Sequence, residues 1–221
     1  MSTGLLALVG GGEWRDGCSF DADLLAASGT DEVLVLPTAA AYEHPDRAVS
    51  IAESWFASLG AKARGLHVLT RPDAEDAANV DAVRAARFVY LSGGSPMHLR
   101  SVLKDSPLWD ALVEAWNDGC VVAGSSAGAM VLCDPMVDPR GGAFTIGLGL
   151  VSQVAVIPHH DTWSHDKEKR TLDLAPSGLC IAGIEERTAL LRDAAGTWTV
   201  SGAGGVTVFR DGVEVGLDGL P

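Results

Sequence analysis

The fold class can be worked out from residues 120–129, Cys120-Val121-Val122-Ala123-Gly124-Ser125-Ser126-Ala127-Gly128-Ala129. The apolar run Cys120–Ala123 is typical of a buried strand, and Ser126–Cys133 has the pattern of a helix that follows it. A strand that passes through a turn of small residues into a helix is the repeating unit of an α/β sheet. If this interpretation is right, the residues on either side should show the same alternation.

The alternation does run through the rest of the chain. Further predicted strands are Leu5–Val9, Glu32–Pro37, Lys62–Thr70, Phe88–Leu91, Gln153–Ile157, Leu179–Ile184, Ala189–Leu191, Thr197–Val200 and Val206–Arg210. Predicted helices are His44–Leu59, Asp73–Ala86 with Asp73 as N-cap, Pro96–Leu103, Leu108–Trp116 and Asp166–Ala175, while Asp134–Gly149 is predicted to be a long loop. We expect one domain over residues 1–221, a three-layer α/β fold with a mostly parallel sheet, helices on both faces and a C-terminal antiparallel extension.

The composition argues against several classes of protein. The 221 residues are 47% hydrophobic and 20% charged, as in a folded globular domain rather than a disordered chain. The formal net charge of −13 disfavours a nucleic-acid surface, and the short apolar runs predict neither a signal peptide nor a membrane span. The four cysteines lack metal-binding spacing and lie mostly in apolar runs, so we expect buried thiols in a cytoplasmic protein.

The motif Gly124-Ser125-Ser126-Ala127-Gly128 has the strand–turn–helix context of a nucleophile elbow. Ser126 fits the central position, where a sharp turn exposes the serine oxygen and small neighbours let a carbonyl group approach. The backbone N–H of Ala127, at the start of the helix, is suited to bind a developing oxyanion. The simpler interpretation is a glycine-rich turn with a serine that caps the helix.

A nucleophilic serine needs a base, and the base needs an acid to orient it. His159 and His160 directly follow the strand Gln153–Ile157, at the edge of the sheet where α/β proteins assemble their sites. The acid has four candidates in the sequence, which are Asp134, Asp138, Glu185 and Glu186. The two aspartates would give the chain order of α/β-hydrolases, and the residues alone leave this choice open.

Two glycine runs also follow predicted strands. Gly93 and Gly94 can turn backbone N–H groups toward a substrate oxygen and so complete an oxyanion hole. The run Gly10-Gly11-Gly12 lacks both continuations that are typical of nucleotide-binding loops. We therefore predict that the protein uses no cofactor and no metal.

Taken together, these motifs resemble those of the serine peptidase family that includes cyanophycinase and aspartyl dipeptidase (peptidase E). The resemblance extends over about residues 5–210 and is carried by Leu8–Gly12, Leu36–Ala40, Leu91–Gly94, Gly124–Ala129, Pro158-His159 and Gly183–Leu190. It implies a fold like that of the class I glutamine amidotransferases, with a catalytic triad of Ser126, His159 and Glu186. It also implies that the backbone N–H groups of Gly94 and Ala127 form the oxyanion hole.

The resemblance further implies a substrate class, although some residues depart from the family pattern. We expect hydrolysis of a small peptide or isopeptide with an aspartyl residue, and we expect Gly93 and Arg170 to bind this substrate. No nucleic-acid or membrane partner is expected. Family members often pair, so a homodimer is also an expectation. Arg170 is the best match to the family's basic substrate-binding residue. Its planar guanidinium group can bind a carboxylate through two parallel hydrogen bonds. Ser95-Pro96-Met97 stands where family members often carry Asn or Gln, which favours the alternative of a non-peptidase amidotransferase-like protein that binds a small ligand or partner.

Overall fold

The computed structural model describes residues 2–140 and 143–221. The strands, in chain order, are β1 (Leu6–Val9), β2 (Glu32–Leu36), β3 (Lys62–Gly65), β4 (Phe88–Leu91), β5 (Val121–Ser125), β6 (Cys133–Asp134), β7 (Met136–Val137), β8 (Phe144–Thr145), β9 (Val151–Ser152), β10 (Val154–Ile157), β11 (Cys180–Ile184), β12 (Thr188–Arg192), β13 (Trp198–Gly202), β14 (Val206–Arg210) and β15 (Val213–Val215). The helices are α1 (Phe20–Ser28), α2 (Pro45–Ser58), α3 (Arg71–Glu75), α4 (Ala77–Ala85), α5 (Pro96–Leu103), α6 (Pro107–Asn117), α7 (Ala127–Leu132) and α8 (His165–Asp173).

A seven-stranded sheet in the order β13-β12-β1-β5-β4-β2-β3 forms the centre of the fold. The five strands from β1 to β3 in this order are parallel, and β12 and β13 extend the sheet in antiparallel pairing. Successive residues of β1 alternate between two cores, since Leu6 and Leu8 pack on one face and Ala7 and Val9 on the other. Because both faces are covered, the strands are continuous apolar runs rather than alternating ones.

Helices cover the two faces of this sheet in separate groups. Helices α1 and α2 pack on the face of Val9, where Phe20, Leu24 and Phe56 are fully buried. Helices α5, α6 and α7 pack on the face of Leu8, together with α4. The predicted three-layer α/β architecture is therefore confirmed.

A second sheet, in the order β10-β11-β14-β15, carries much of the C-terminal part of the chain. Strands β10 and β11 are parallel, whereas β14 and β15 add in antiparallel fashion. Between β11 and β12 the chain crosses from this sheet to the central one within residues 185–187. The predicted antiparallel extension is confirmed, and it is divided between the two sheets.

Two details of the predicted helices and loops were wrong. Asp73 is not the N-cap of a helix that runs to residue 86, because it sits at the third position of α3 in a capping box with Thr70. Helix α4 starts separately after Asp76, whose side chain accepts hydrogen bonds from the backbone N–H groups of Ala78 and Asn79. In the predicted long loop, β6 pairs with β9 and β7 with β8, while Gly141 and Gly142 lie outside the described residues.

No helix within residues 2–140 and 143–221 combines the length and the hydropathy needed to cross a lipid bilayer.

Helix α1 escaped the sequence analysis because its buried face is half polar. The buried residues are Phe20, Asp21, Leu24 and Ser28, so the apolar residues alone show no helical period. Asp21 is completely buried, and its Oδ2 accepts a 2.8 Å hydrogen bond from Nε1 of Trp55. Burial raises the pKa of this carboxyl group from 3.8 to about 7, although the bond from Trp55 opposes the shift.

The raised pKa of Asp21 makes folding stability depend on pH. The folded protein keeps this proton up to about pH 7, whereas an unfolded aspartate loses it near 3.8, so the stability that Asp21 contributes falls as the pH rises between these values. Asp21→Asn cannot ionise, and we expect its stability relative to the wild type to rise by about 1–3 kcal/mol between about pH 4 and about pH 8. Urea unfolding of both proteins at the two pH values measures this change.

The matched control is Asp23→Asn, which removes an exposed acid from the same helix. Its difference from the wild type should be nearly the same at both pH values. An Asp21→Asn variant that gains nothing as the pH rises would contradict a buried carboxyl that stays protonated.

Candidate active site

Ser126 lies in the sharp turn between β5 and α7. Its backbone has φ 49° and ψ −104°, a conformation that costs a non-glycine residue about 1–3 kcal/mol. The flanking glycines allow this turn to pack tightly: a Cβ on Gly124 would lie 2.6 Å from the carbonyl carbon of Gly128, and one on Gly128 would lie 2.6 Å from the carbonyl oxygen of Leu91. The G-x-S-x-G spacing is thus required by the contact between strand and helix.

His159 comes from the second sheet, directly after β10. Its Nε2 lies 2.9 Å from the Oγ atom of Ser126, and its Nδ1 lies 2.8 Å from Oε1 of Glu186, which follows β11. An N–H group at Nδ1 donates a hydrogen bond to the carboxylate. Nε2 is then unprotonated and can accept a hydrogen bond from the serine hydroxyl. The structure therefore brings the three residues together in the order serine, imidazole and carboxylate.

The end of β1 holds all three of these segments by backbone hydrogen bonds. The N–H of Ser126 donates to the carbonyl oxygen of Val9 (2.9 Å), that of His159 to Gly10 (2.7 Å) and that of Arg187 to Gly11 (2.7 Å). A Cβ on Gly11 would lie only 2.1 Å from Cε1 of His159. The glycine run, which lacks the continuations of a nucleotide-binding loop, is instead the place where the segments that carry Ser126, His159 and Glu186 meet.

The other candidate base points away from Ser126. The Nε2 atom of His160 lies 2.5 Å from Oε2 of Glu168 on α8, and its ring packs against Gly183. The exposed fractions of the two side chains are 13% and 22%, so this is a partly buried pair. His160 therefore anchors α8 to the second sheet.

The three remaining acids bind elsewhere. Oδ1 of Asp134 accepts a bond from the backbone N–H of Gly147 at 2.8 Å, and Asp138 forms an ion pair with Arg140. Oε2 of Glu185 accepts from the backbone N–H of Gly205 at 2.9 Å. Of the four candidate acids, Glu186 is the one that reaches His159.

The predicted oxyanion residues lie beside the serine. Gly94 and Ala127 line the same pocket as Ser126 and His159. Gly94 has φ 135°, and a Cβ there would lie 2.3 Å from the carbonyl oxygen of Ala39, so only glycine fits. The N–H of Gly93, in contrast, donates to Oε1 of Glu13 at 3.0 Å and is already occupied, which departs from its predicted contact with substrate.

The pocket over Ser126 has a volume of about 170 Å³ and one mainly apolar wall, formed by Met130, Val137, Pro139 and Trp163. Lys167 of α8 contributes its charge, with Nζ 3.7 Å from the centre of the Trp163 ring. Among the described lining residues Lys167 is the cation, whereas Arg170 is exposed three residues further along α8 and does not line the pocket. The resemblance indicated Arg170 as the basic substrate-binding residue, whereas the basic residue that lines this pocket is Lys167.

Sequence reasoning also missed Glu13. Its carboxylate accepts hydrogen bonds from Gly93 and, at 2.8 Å, from the hydroxyl of Ser125. The signal that could have drawn attention to it is its position after Gly10-Gly11-Gly12, at the same edge of the sheet as the elbow.

All four cysteines are free and buried, as predicted, and burial raises the pKa of Cys120 and Cys133 to about 12. Such thiols stay protonated near neutral pH and make poor nucleophiles. Within the described residues, no group of three or more His, Cys, Asp or Glu side chains is arranged to hold a metal ion.

Two proteins that carry names are similar in sequence to this chain. The protein of Synechococcus elongatus named cyanophycinase is 27% identical over 195 residues, which cover 82% of this chain and 60% of that protein. The protein of Citrobacter koseri named peptidase E is 25% identical over 198 residues, covering 84% and 83% of the two chains. This chain therefore spans less than two thirds of the length of that cyanophycinase.

A crystal structure and a family model also match this chain. The crystal structure of a peptidase from an acI-B1 Actinobacterium superposes with a TM-score of 0.85 at 32% identity, covering 97% of this chain and 93% of that one. Residues 6–196 match the family described as Peptidase family S51. The resemblance found in the sequence is confirmed, and because the match covers most of the chain, the protein belongs to peptidase family S51.

Proposed function

We propose that this protein is a serine hydrolase that cleaves a small peptide or isopeptide with an aspartyl residue at the scissile bond. The observation that carries the proposal is the pair of hydrogen bonds from Ser126 to His159 and from His159 to Glu186, at 2.9 and 2.8 Å. Membership of a peptidase family and the relatives named cyanophycinase and peptidase E support the same conclusion.

In the proposed mechanism Ser126 is the nucleophile. Its Oγ attacks the substrate carbonyl carbon while Nε2 of His159 accepts the hydroxyl proton, and the carbonyl oxygen becomes an oxyanion. The backbone N–H groups of Gly94 and Ala127 stabilise this oxyanion, and Glu186 stabilises the imidazolium. His159 then donates its proton to the leaving amine, and the C–N bond breaks to leave an acyl-enzyme.

Water completes the cycle by the reverse steps. His159 takes a proton from the water molecule, whose oxygen attacks the ester carbonyl of the acyl-enzyme. The second oxyanion collapses, the bond to Oγ breaks, and the proton on Nε2 returns to Ser126. Each proton that leaves a nucleophile is thus delivered to a leaving group by the same nitrogen.

Lys167 supports the acidic specificity. The protein carries a net charge of −13, so at long range it repels an acidic substrate, and selectivity for such a substrate requires a local cation. Lys167 provides one at the wall of the pocket, held against the face of Trp163. We propose that its ammonium group binds the side-chain or α-carboxylate of the aspartyl residue.

The first test concerns the nucleophile. A fluorophosphonate should modify the wild type once, on Ser126, because the base beside it removes the hydroxyl proton. Ser126→Ala should lose this labelling and lose peptide hydrolysis by at least about 10⁴-fold, as removal of a triad serine does elsewhere. Mass spectrometry of the labelled protein and turnover of Asp-X and β-Asp-X dipeptides measure the two effects.

Ser50→Ala, which changes an exposed serine of α2, serves as the matched control and should behave as the wild type. A wild type that resists the reagent and cleaves none of the dipeptides would favour the alternative, a protein that only binds a small ligand.

A second test separates the candidate acids. Glu186→Gln keeps the shape of the side chain but removes its charge, so we expect kcat to fall by about 10²- to 10⁴-fold with little change in thermal stability. Glu185→Gln is the control because that side chain holds Gly205 instead of His159. A large loss of kcat in Asp134→Asn or Asp138→Asn, with Glu186→Gln close to wild type, would restore the hydrolase-like chain order.

A third test distinguishes Lys167 from Arg170 on α8. Lys167→Gln should raise KM for aspartyl dipeptides about 10-fold, since one charge pair is lost, while leaving neutral Asn-X dipeptides nearly unaffected. Lys169→Gln, an exposed lysine that pairs with Asp173, is the control. If Arg170→Gln shows the selective loss and Lys167→Gln does not, the position first suggested by the sequence is the specificity residue.

A further inference from the structure

Glu13 joins two segments that are far apart in the sequence. Its Oε1 accepts the backbone N–H of Gly93 at 3.0 Å, and its Oε2 accepts the hydroxyl of Ser125 at 2.8 Å. Gly93 belongs to the turn after β4, and Ser125 is the last residue of β5. One carboxylate thus ties the ends of two neighbouring strands together.

Each of these two partners stands immediately before a group of the proposed mechanism. Gly93 precedes Gly94, whose N–H is one of the two proposed oxyanion donors, and Ser125 precedes Ser126. The contact is close, since a Cβ on Gly93 would lie 3.2 Å from Oε1 of Glu13 and 3.6 Å from Cβ of Ser126. A shift of the turn that contains Gly93 would therefore also displace Ser126.

The chemistry of Glu13 suits this task. An ionised carboxylate only accepts hydrogen bonds, and here each oxygen has a donor of its own. Bonds of this charge-assisted kind are about twice as strong as neutral ones. Ser125 is completely buried, so its hydroxyl has a fixed partner rather than water. None of the ion pairs formed by the described residues includes Glu13, so its carboxylate is committed to these two donors.

We propose that Glu13 is a positioning residue, which sets the distance and orientation between the oxyanion donor at Gly94 and the nucleophile Ser126. This inference rests on the proposed function, because it assigns a task within that reaction. Glu13 acts through Gly93 and Ser125. Its effect should therefore fall on the transition state, in which the oxyanion forms, rather than on binding of the substrate in its ground state.

The experiment measures the rate of fluorophosphonate labelling of Ser126, together with kcat and KM for the best dipeptide. In Glu13→Ala both hydrogen bonds are lost, so we expect labelling and kcat to fall about 10- to 100-fold while KM changes less than about 3-fold. In Glu13→Gln the amide oxygen can accept from Gly93 and the amide nitrogen can donate to Ser125. We expect this variant to recover to within about 3-fold of the wild type.

Two further variants complete the design. Asp16→Asn changes an exposed acid three residues further on and should label at the wild-type rate. Ser125→Ala removes one of the two bonds and should slow labelling by about 3- to 10-fold. Combined with Glu13→Ala it should add almost nothing, because both changes break the same link.

The possible outcomes separate this inference from the proposed function. If the wild type is labelled and Glu13→Ala is labelled equally fast, the inference is overturned and the proposed function stands. A Glu13→Ala variant that unfolds at lower temperature, with unchanged kcat, also overturns it, since the residue is then only structural. Should Glu13→Ala fail to fold, wild-type labelling of Ser125→Ala overturns the inference. A wild type that is never labelled overturns the proposed function and this inference with it.

Discussion

The site depends on backbone hydrogen bonds at one strand end. Carbonyl oxygens of Val9, Gly10 and Gly11 accept the N–H groups of Ser126, of His159 and of Arg187, the residue after Glu186. Side chains at Gly10 and Gly11 would collide with these segments. A Cβ on Gly10 would lie 2.1 Å from the carbonyl oxygen of Glu185, and one on Gly11 would lie 2.1 Å from Cε1 of His159. Three segments that are distant in the sequence can meet only because this strand end is bare backbone.

This arrangement explains why two sheets are needed. Gly94 and Ser126 follow the parallel strands β4 and β5 of the central sheet, and His159 and Glu186 follow β10 and β11 of the second sheet. Parallel strands direct their carboxyl ends to a common edge, where side chains from several strands converge. The pocket forms between these edges. Lys167 of α8 and Trp163, just before this helix, line one side of it.

Convergence at one edge has a cost in backbone strain. Ser126, His159 and Arg187 all have positive φ, at 49°, 52° and 57°. Such conformations persist only where the surrounding contacts enforce them, and here the hydrogen bonds to β1 and the packing of both cores do so. At the same edge, the carboxylates of Glu13 and Glu186 accept hydrogen bonds from Gly93, Ser125 and His159.

The α/β class, the central strands and the Gly124–Gly128 turn could be predicted from the residues alone, because apolar runs and glycine spacing are local properties of the chain. The same patterns left open which of His159 and His160 faces the serine, since neighbouring residues at a strand end point in different directions and only the resemblance to a family separated them. The position of Lys167 at the pocket and the hydrogen bond between Glu13 and Gly93, which lie 80 positions apart, could be seen only in the folded chain. Such contacts depend on how two sheets and a helix pack together, and no periodicity in the sequence records that packing.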